Sequence, residues 1–218
     1  DYMLMTAAKN VTRDVSLVFD FIERPYSPVR FKELLVSPNE MKQKFIRLIN
    51  EEIKNKQAGK PAYILIKINH ITDPVMVKKL YEASSHGVRI DLLVRGNCSL
   101  ITGVPGVSDT IRINGIIDRY LEHSRIFIFA NGGDEKMFIG SADWMPRNLD
   151  NRVEVIAPVY DPEIKADLKR VVEYGLKDTL QGRVVDGTGE NRPWISEDKT
   201  AFRSQEELYK YYLKDRKS

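Results

Sequence analysis

The sequence predicts an α/β sandwich built on a mixed β-sheet. Residues 62–69, 73–87 and 88–94 have the patterns of a strand, a helix and a second strand. This order is typical of a right-handed βαβ unit, in which the two strands are parallel. Residues 124–130 and 136–143 are two further strands around an Asn-Gly-Gly-Asp turn, which is a hairpin signal. A parallel pair followed by an antiparallel hairpin makes the sheet mixed.

Other elements flank this core. Residues 11–23 have helical apolar spacing after a candidate Thr12 cap, with Val15, Val18, Phe19 and Ile22 as the expected buried face. Residues 31–36 have the pattern of a short strand. Residues 37–40 (SPNE) predict a capping box with Ser37 as the cap of a helix that ends before Gly59. The remaining predictions are a strand at 152–159, an amphipathic helix at 162–176 and a charged helix at 205–214, whereas 111–121 mixes strand and turn signals.

Composition limits the class of protein. The 218 residues are 42 % hydrophobic and 30 % charged, enough for one large globular domain or one domain plus part of another. We find no apolar run of the roughly 18 residues that a membrane span needs and no secretory leader. The net charge of +3 permits an anionic partner without identifying one. The single cysteine, Cys98, excludes an intrachain disulfide and favours a reducing cytoplasm.

The three histidines differ in their surroundings. His70 follows a strand and His86 stands at a helix end before Gly87, so both are interpreted as structural. His123 opens the strand at 124–130 and, with a period of two, shares a face with Arg125. Across the hairpin Ser141 and Asp143 share a face as well. Matching registers would bring an imidazole, a guanidinium, a hydroxyl and a carboxylate together, whereas a polar sheet edge in solvent is the alternative.

These side chains suit phosphate chemistry. A neutral imidazole attacks phosphorus, and an imidazolium passes a proton to a bridging oxygen. Arginine holds non-bridging oxygens in a bidentate fork. Gly140 or Ser141 would let a phosphate approach the backbone, and Asp143 is the candidate to orient the imidazole. Arg95 is a second phosphate candidate, because it follows a strand at the carboxyl edge where α/β proteins bind ligands.

Other signals are weaker. Glu154 stands between apolar neighbours in its strand, a pattern typical of a solvent-exposed face. The sequence contains neither a Walker-type loop nor a GxGxxG motif, so any phosphate site does not use those frames.

At these residues the chain resembles bacterial polyphosphate kinases that form a phosphohistidine. The likeness runs in consistent order from Asp1 to about Asp186. The segments that carry it are 90–98 (IDLLVRGNC), 103–108 (GVPGVS), 119–126 (RYLEHSRI), 131–133 (NGG) and 141–150 (SADWMPRNLD).

The resemblance implies a phospholipase-D-like α/β/α sandwich with a mixed sheet, built as two halves that each give one histidine to a shared site. Residues 1–33 would end the first half, 34–186 would form the second half, and 187–218 would be a tail with a helix. The first half's histidine, which becomes phosphorylated, and a nucleotide-contacting tyrosine would lie upstream of Asp1. We therefore interpret the chain as a fragment of a longer protein.

The implied reaction is reversible transfer of the ATP γ-phosphoryl group to inorganic polyphosphate. His123 matches the family's second histidine, Glu154 its active-site glutamate and Arg95 its phosphate-contacting arginine. The implied cofactors are ATP or ADP and Mg²⁺, with the metal ligands outside this chain. Arg119, Arg125 and Arg147 would line a channel for the polyanion or simply favour solubility.

The implied partners are the substrates, the upstream domains and further copies of the protein, without specific nucleic-acid binding. The expected location is the cytoplasm, and a peripheral position at the inner membrane is left open.

The sequence departs from the wider phospholipase D pattern. Arg125 stands where that superfamily has lysine, and Ala130 stands where an aspartate is usual. Both departures argue against phosphodiester hydrolysis and fit transfer of a terminal phosphoryl group. A phospholipase-D-like phosphodiesterase or nuclease remains the enzymatic alternative. A non-catalytic fragment that binds polyphosphate or nucleotide is the other.

Overall fold

The computed structural model describes residues 1–26, 28–195 and 200–215, and an eight-stranded mixed sheet forms its centre. The strands are β1 (Leu35–Ser37), β2 (Tyr63–Ile68), β3 (Arg89–Val94), β4 (Ile111–Ile116), β5 (Arg125–Phe129), β6 (Lys136–Gly140), β7 (Glu154–Val159) and β8 (Gly182–Val184). The helices are α1 (Lys9–Glu23), α2 (Met41–Gln57), α3 (Pro74–Ser85), α4 (Pro162–Lys177) and α5 (Ser204–Asp215). The strand order across the sheet is β1-β7-β6-β5-β2-β3-β4-β8.

The predicted βαβ unit is confirmed. Strands β2 and β3 pair in parallel, from Tyr63 opposite Arg89 to Ile68 opposite Val94. The connecting helix α3 begins as its sequence predicts, because the Asp73 carboxylate accepts the first free backbone N–H groups and a proline follows at the first helical position. The carboxyl ends of both strands therefore lie at the same edge of the sheet.

The predicted hairpin is also confirmed. Strands β5 and β6 pair antiparallel, with Arg125 opposite Gly140 and Phe129 opposite Lys136. A short 3₁₀ turn joins them, and Gly132 adopts a φ of 71° that favours glycine. Because β5 is antiparallel to β2, the sheet is mixed. The undecided segment 111–121 contributes strand β4, which is parallel to β3.

Helices cover both faces of the sheet. Alternate residues of β5 point to opposite sides: Phe127 packs into the core beneath α2 and α3, and Ile128 packs into the core beneath α4. Helix α1 packs in a third cluster with Val155 of β7, whose neighbour Ile156 belongs to the α2 side. The molecule therefore has three layers, as the α/β/α prediction requires.

The buried face of α1 differs from the prediction. Val15, Phe19 and Ile22 are exposed, and Val11, Asp14 and Phe21 are buried in addition to Val18. The cause is Asp14, whose carboxylate accepts the backbone N–H groups of residues 33 and 34 at 2.6 and 3.2 Å. A buried carboxylate that receives hydrogen bonds fixes the inward face of the helix, and apolar spacing alone does not reveal such a contact.

The predicted capping box at residues 37–40 is wrong. Ser37 is the last residue of β1 and lies opposite Glu154 of β7 in the sheet. Helix α2 begins at Met41 after Glu40, without a side-chain capping bond. Strand pairing therefore extends to Ser37, and the predicted strand at 31–36 becomes Leu35–Ser37.

The described residues after β8 pack against the rest of the domain. The indole N–H of Trp194 donates to the carbonyl of Leu176 at the end of α4, and the Ser204 hydroxyl donates to buried Asp178 at 2.7 Å. The predicted helix at 205–214 is confirmed as α5. Residues 196–199 and 216–218 of the predicted tail lie outside the described residues. No helix among the described residues is long and apolar enough to cross a membrane.

Glu52 links helix α2 to one end of the sheet. This end is opposite to the cavity described below. Its buried carboxylate accepts the backbone N–H of Tyr63 at 3.1 Å and of Asn131 at 2.6 Å. Burial raises the pKa of this carboxyl to about 7. The folded chain therefore favours the protonated form of Glu52 more strongly than the unfolded chain does.

We expect the free energy of unfolding to fall as the pH rises through about 7 because of Glu52. A raised carboxyl pKa gives stabilisation that is complete below the unfolded pKa of about 4.3 and is lost above the folded pKa. Glu52→Gln should reduce the difference in unfolding free energy between pH 5 and pH 8, by on the order of 1–3 kcal/mol. Urea denaturation of the chain at several pH values measures this. The exposed Glu173→Gln is the control, and an unchanged pH dependence in Glu52→Gln would contradict the expectation.

Candidate active site

Five strand ends converge on a cavity of about 310 Å³. The carboxyl ends of β2, β3 and β6 and the amino ends of β5 and β7 meet at this edge of the sheet. All six residues that the sequence singled out as a site line the cavity: Arg95, His123, Arg125, Ser141, Asp143 and Glu154. It is also lined by Asn69, His70, Arg147, Asn148 and Arg152.

A buried ion pair between Arg125 and Asp143 lies at the centre. Nε and Nη2 of the guanidinium donate to the two carboxylate oxygens, each at 3.2 Å. Both residues are buried, so the contact is shielded from water. The same carboxylate accepts the backbone N–H groups of Asn69 at 3.0 Å and His70 at 3.3 Å. Asp143 therefore joins the end of β2 to the β5–β6 hairpin.

His123 lies two residues before Arg125 and just ahead of β5. The Arg125 Nη1–H donates to the His123 carbonyl at 2.7 Å and reaches its Nδ1 at 3.1 Å. The imidazole is about half exposed, and its Nδ1 also lies 3.2 Å from a carboxylate oxygen of Asp1. Partial burial and the nearby charges of Arg125 and Arg95 lower the pKa of His123. The neutral imidazole is thus favoured. Its Nδ1 faces both a donor, Nη1–H of Arg125, and an acceptor, the Asp1 carboxylate, so the contact that it makes decides which ring nitrogen carries the proton.

Asp143 was predicted to orient the imidazole, but no hydrogen bond joins it to the ring, and the two are linked through Arg125. The carboxylate is engaged by the guanidinium and by the backbone of β2, as described above. Arg125 then holds both the ring and the carbonyl of His123.

The segment before His123 is fastened to α5. The Gln205 side-chain amide donates to the Tyr120 carbonyl, and its oxygen accepts the Tyr120 N–H, both at 2.9 Å. Arg203 pairs with Asp118 at 2.6 Å. Helix α5 therefore fixes the backbone that leads to the imidazole.

Glu154 is buried rather than exposed. Its two carboxylate oxygens accept hydrogen bonds from the Ser141 hydroxyl and from the Asn148 amide, the latter at 2.6 Å. The pairing of β6 with β7 places this carboxylate beside the cavity, and β1 covers the far side of β7. The alternating pattern predicted exposure because it does not show that polar partners face the strand.

Arg95 lies at the end of β3, as predicted. Its Nε–H donates to the Asn69 side-chain oxygen at 2.9 Å, and its two terminal nitrogens have no side-chain partner among the described residues. Arg147 and Arg152 also line the cavity. Arg119 does not line it and instead stacks over the ring of Tyr120.

Gly140 has a structural role that differs from the predicted one. A Cβ at this position would overlap the backbone of β7, with the Cα of Ile156 only 2.8 Å away. The glycine therefore allows the close approach of two strands. It also lines a second cavity together with His123 and Ser141.

His86 and His70 were both predicted to be structural, and the structure places them in different surroundings. His86 closes α3 with Nδ1 at 2.8 Å from the carbonyl of Glu82, which agrees with a structural role. His70, which was also interpreted as structural, lines the cavity. The sequence interpretation missed Asn69, Asn148 and Arg152 as well. Their available signal was position, because Asn69 follows β2 directly and Arg152 precedes β7.

The cavity does not suit a metal ion of its own. Asp143 is bound to Arg125, Glu154 is bound to Ser141 and Asn148, and the remaining charged side chains are cationic. Mg²⁺ prefers free oxygen ligands. No group of three or more His, Cys, Asp or Glu residues within the described part of the chain is arranged to hold a metal ion.

The family model for polyphosphate kinase C-terminal domain 2 matches residues 34–205. The chain belongs to this family. Curated polyphosphate kinases from Escherichia coli K12 and Klebsiella pneumoniae are 44 % and 45 % identical to it over 211 residues. These matches cover 97 % of this chain and 31 % of the relatives, so the chain spans about a third of their length.

Solved structures agree with the family. The polyphosphate kinase of Porphyromonas gingivalis superposes with a TM-score of 0.91 at 39 % identity, covering 97 % of this chain and 32 % of that one. Nuc of Salmonella typhimurium, a phospholipase D family member, gives a TM-score of 0.50 at 15 % identity over 71 % of this chain and 97 % of its own. The second match supports the fold alone, and the predicted phospholipase-D-like sandwich of this polyphosphate kinase domain is confirmed.

Asp143→Ala should destabilise the domain by about 3–5 kcal/mol, because it leaves Arg125 buried without its counter-charge. Urea denaturation of the chain measures the loss. Asp150→Ala is a matched control, since Asp150 pairs with Lys42 at 2.5 Å and is half exposed. A solvent-accessible pair contributes about 1 kcal/mol or less. Equal losses in the two variants would contradict the central role of the buried pair.

Proposed function

We propose that the chain is part of an ATP:polyphosphate phosphotransferase and that the cavity at the strand ends binds the phosphates. The observation that carries this proposal is the excess of cationic side chains around the cavity, where the carboxylates of Asp143 and Glu154 are already engaged. Three guanidinium groups remain to face a ligand, those of Arg95, Arg147 and Arg152. Arg125 also lines the cavity, but its nitrogens are engaged by Asp143 and His123. A chain of phosphates supplies the opposite charge at short, regular intervals.

His123 would hold the transferring group and exchange a proton with it. In the tautomer whose Nδ1 accepts from Arg125, the proton of the neutral ring is on Nε2, where it would donate to a phosphate oxygen. Phosphates bound nearby would favour the imidazolium, since opposite charges stabilise the charged form. The ring would then be able to release a proton to the departing bridging oxygen and recover it in the reverse reaction.

The nucleophile, following the family resemblance, is a histidine in the upstream half. Its nitrogen would form a bond to the γ-phosphorus as the bond to the β–γ bridging oxygen of ATP breaks. A terminal polyphosphate oxygen would then attack the same phosphorus and release the histidine. Arg95 and Arg125 would neutralise charge on the non-bridging oxygens during both steps.

Glu154 would act through its neighbours. Its carboxylate holds the Ser141 hydroxyl and the Asn148 amide at the cavity wall. We assign it the role of fixing this wall in the catalytic arrangement. Arg147 would continue the path of the polymer away from His123.

The remaining assignments concern parts beyond this chain. ATP or ADP binds with Mg²⁺, whose ligands are the phosphates and groups outside the described cavity, and we derive no step through the metal. The boundary after residue 33 separates the end of the first phospholipase-D-like half from the second half at 34–186, and 187–218 form a tail. The upstream half completes the site. The whole protein is cytoplasmic, works as a homo-oligomer and associates at most peripherally with the inner membrane, whereas the isolated chain is inactive.

His123→Ala in the full-length protein should abolish ATP-dependent polyphosphate synthesis and leave folding intact, because the ring is half exposed and its removal leaves no cavity in the core. Radiolabelled ATP incorporation measures the activity, and circular dichroism checks the fold. His86→Ala is the control at a distant histidine. Retained synthesis would refute the role of His123, and cleavage of a phosphodiester substrate without polymer growth would favour the nuclease alternative.

Arg95→Ala in the full-length protein should lower kcat/KM for ATP. The expected loss of transition-state stabilisation is about 1.5–3 kcal/mol, the range for one hydrogen bond to a charged group. Steady-state kinetics provide the measurement. Arg89→Ala is a suitable control, because Arg89 stands at the other end of the same strand and pairs with Asp91 at 3.1 Å. A kcat/KM for Arg95→Ala equal to that of the wild type would rule out its contact with phosphate.

A further inference from the structure

We propose that Asn69 and His70 form, with Arg95, one subsite for the non-bridging oxygens of a phosphoryl group. Arg95 supplies the charge, and the other two residues supply neutral N–H donors. The inference rests on the proposed function, since it assigns new residues to the same cavity. Two side chains with unused donors carry it.

Asn69 has a buried donor without a partner. The residue is 2 % exposed and follows β2 directly. Its side-chain oxygen accepts the Nε–H of Arg95 at 2.9 Å, which fixes the orientation of the amide. The amide nitrogen is buried and has no hydrogen-bond partner among the described residues, and the residue itself lines a polar cavity. Buried donors are rarely left unpaired, so this nitrogen indicates an acceptor that the chain itself does not supply.

His70 has a fixed tautomer. The backbone N–H of Asn97 donates to its Nδ1 at 2.9 Å, so Nδ1 is an acceptor and the proton of the neutral ring is on Nε2. No described residue accepts a hydrogen bond from that Nε2–H. The ring packs closely over Gly96, where a Cβ would lie 2.6 Å from Nδ1. The glycine thus makes room for the imidazole and holds it in place.

The backbone holds the two residues beside each other. Both of their N–H groups donate to Asp143, and the His70 carbonyl accepts the N–H of Trp144 at 3.1 Å. Their side chains therefore start from a rigid peptide and line one cavity with Arg95. An amide N–H, an imidazole N–H and a guanidinium are all donors, a set that suits an oxyanion with several oxygens.

The ligand class is a phosphoryl group of a nucleotide or of polyphosphate. A tetrahedral phosphate presents several non-bridging oxygens to donors that come from different directions. The neutral donors would form hydrogen bonds to oxygens at defined positions. They add little long-range attraction, because they carry no net charge. Arg95 provides that attraction.

Binding of inorganic tripolyphosphate to the full-length protein tests the subsite by isothermal titration calorimetry. His70→Leu should weaken binding by about tenfold, as expected for loss of a hydrogen bond to a charged group. His70→Gln, which keeps an amide donor, should recover most of the affinity. Asn69→Asp keeps the oxygen that Arg95 contacts and replaces the donor, so it should weaken binding by about tenfold or more. His86→Gln is the control at a remote histidine.

The dependence of tripolyphosphate affinity on salt concentration distinguishes a neutral donor from a charged one. Arg95→Ala should make binding less sensitive to ionic strength, whereas His70→Leu should weaken binding at every salt concentration with the wild-type dependence. A reduced salt dependence in His70→Leu would overturn the neutral-donor role.

The remaining outcomes distinguish the subsite from the function. Wild-type affinity in both His70→Leu and Asn69→Asp, with weakened binding in Arg95→Ala, would overturn the subsite and leave the proposed function standing. Failure of the wild-type protein to bind tripolyphosphate would overturn both. Circular dichroism checks the folding of each variant. If Asn69→Asp does not fold, the comparison of His70→Leu with His70→Gln decides the result, because His70 is only half buried.

Discussion

The site depends on the contact between Arg125 and Asp143. One carboxylate receives two guanidinium nitrogens and the two backbone N–H groups at the end of β2. The guanidinium in turn holds the carbonyl and the ring of His123. A single buried pair therefore sets the relative positions of the end of β2, the β5–β6 hairpin and the imidazole. Removing one member leaves the other without a counter-charge, which is why such a pair is strongly coupled to folding.

The same pair decides the electrostatic character of the cavity. Each carboxylate at the wall is used internally, Asp143 by a guanidinium and Glu154 by a hydroxyl and an amide. Both carboxylates therefore have partners within the chain, and the arginines other than Arg125 are left to face a ligand. The lowered pKa of His123 follows from this surplus as well as from its partial burial. The cavity thus combines cationic side chains with an imidazole whose pKa is lowered, which favours the neutral ring.

Local signals predicted most of the fold and the centre of the site. Short apolar runs and the Asn-Gly-Gly-Asp turn placed β2, β3, β5 and β6, and the Asp73–Pro74 pair predicted where α3 begins, because these signals act within a few residues. Period two placed His123 with Arg125, and the hairpin brought Asp143 to them. Long-range contacts were not predictable in this way. Glu154 is buried because Ser141 and Asn148 reach it, and Asp14 turns α1 because the backbone of residues 33 and 34 donates to it. Asn69 gave no signal beyond its position after a strand.

The missing Cβ at Gly140 has a geometric consequence for this edge of the sheet. Gly140 lies opposite both Arg125 of β5 and Ile156 of β7, so it is the spacer between the two walls that carry the guanidinium and the Glu154 carboxylate. Main-chain contact, rather than any side chain, sets the distance between those walls. Replacing side chains at the rim should therefore change the chemistry of the opening and leave the spacing of these strands as it is.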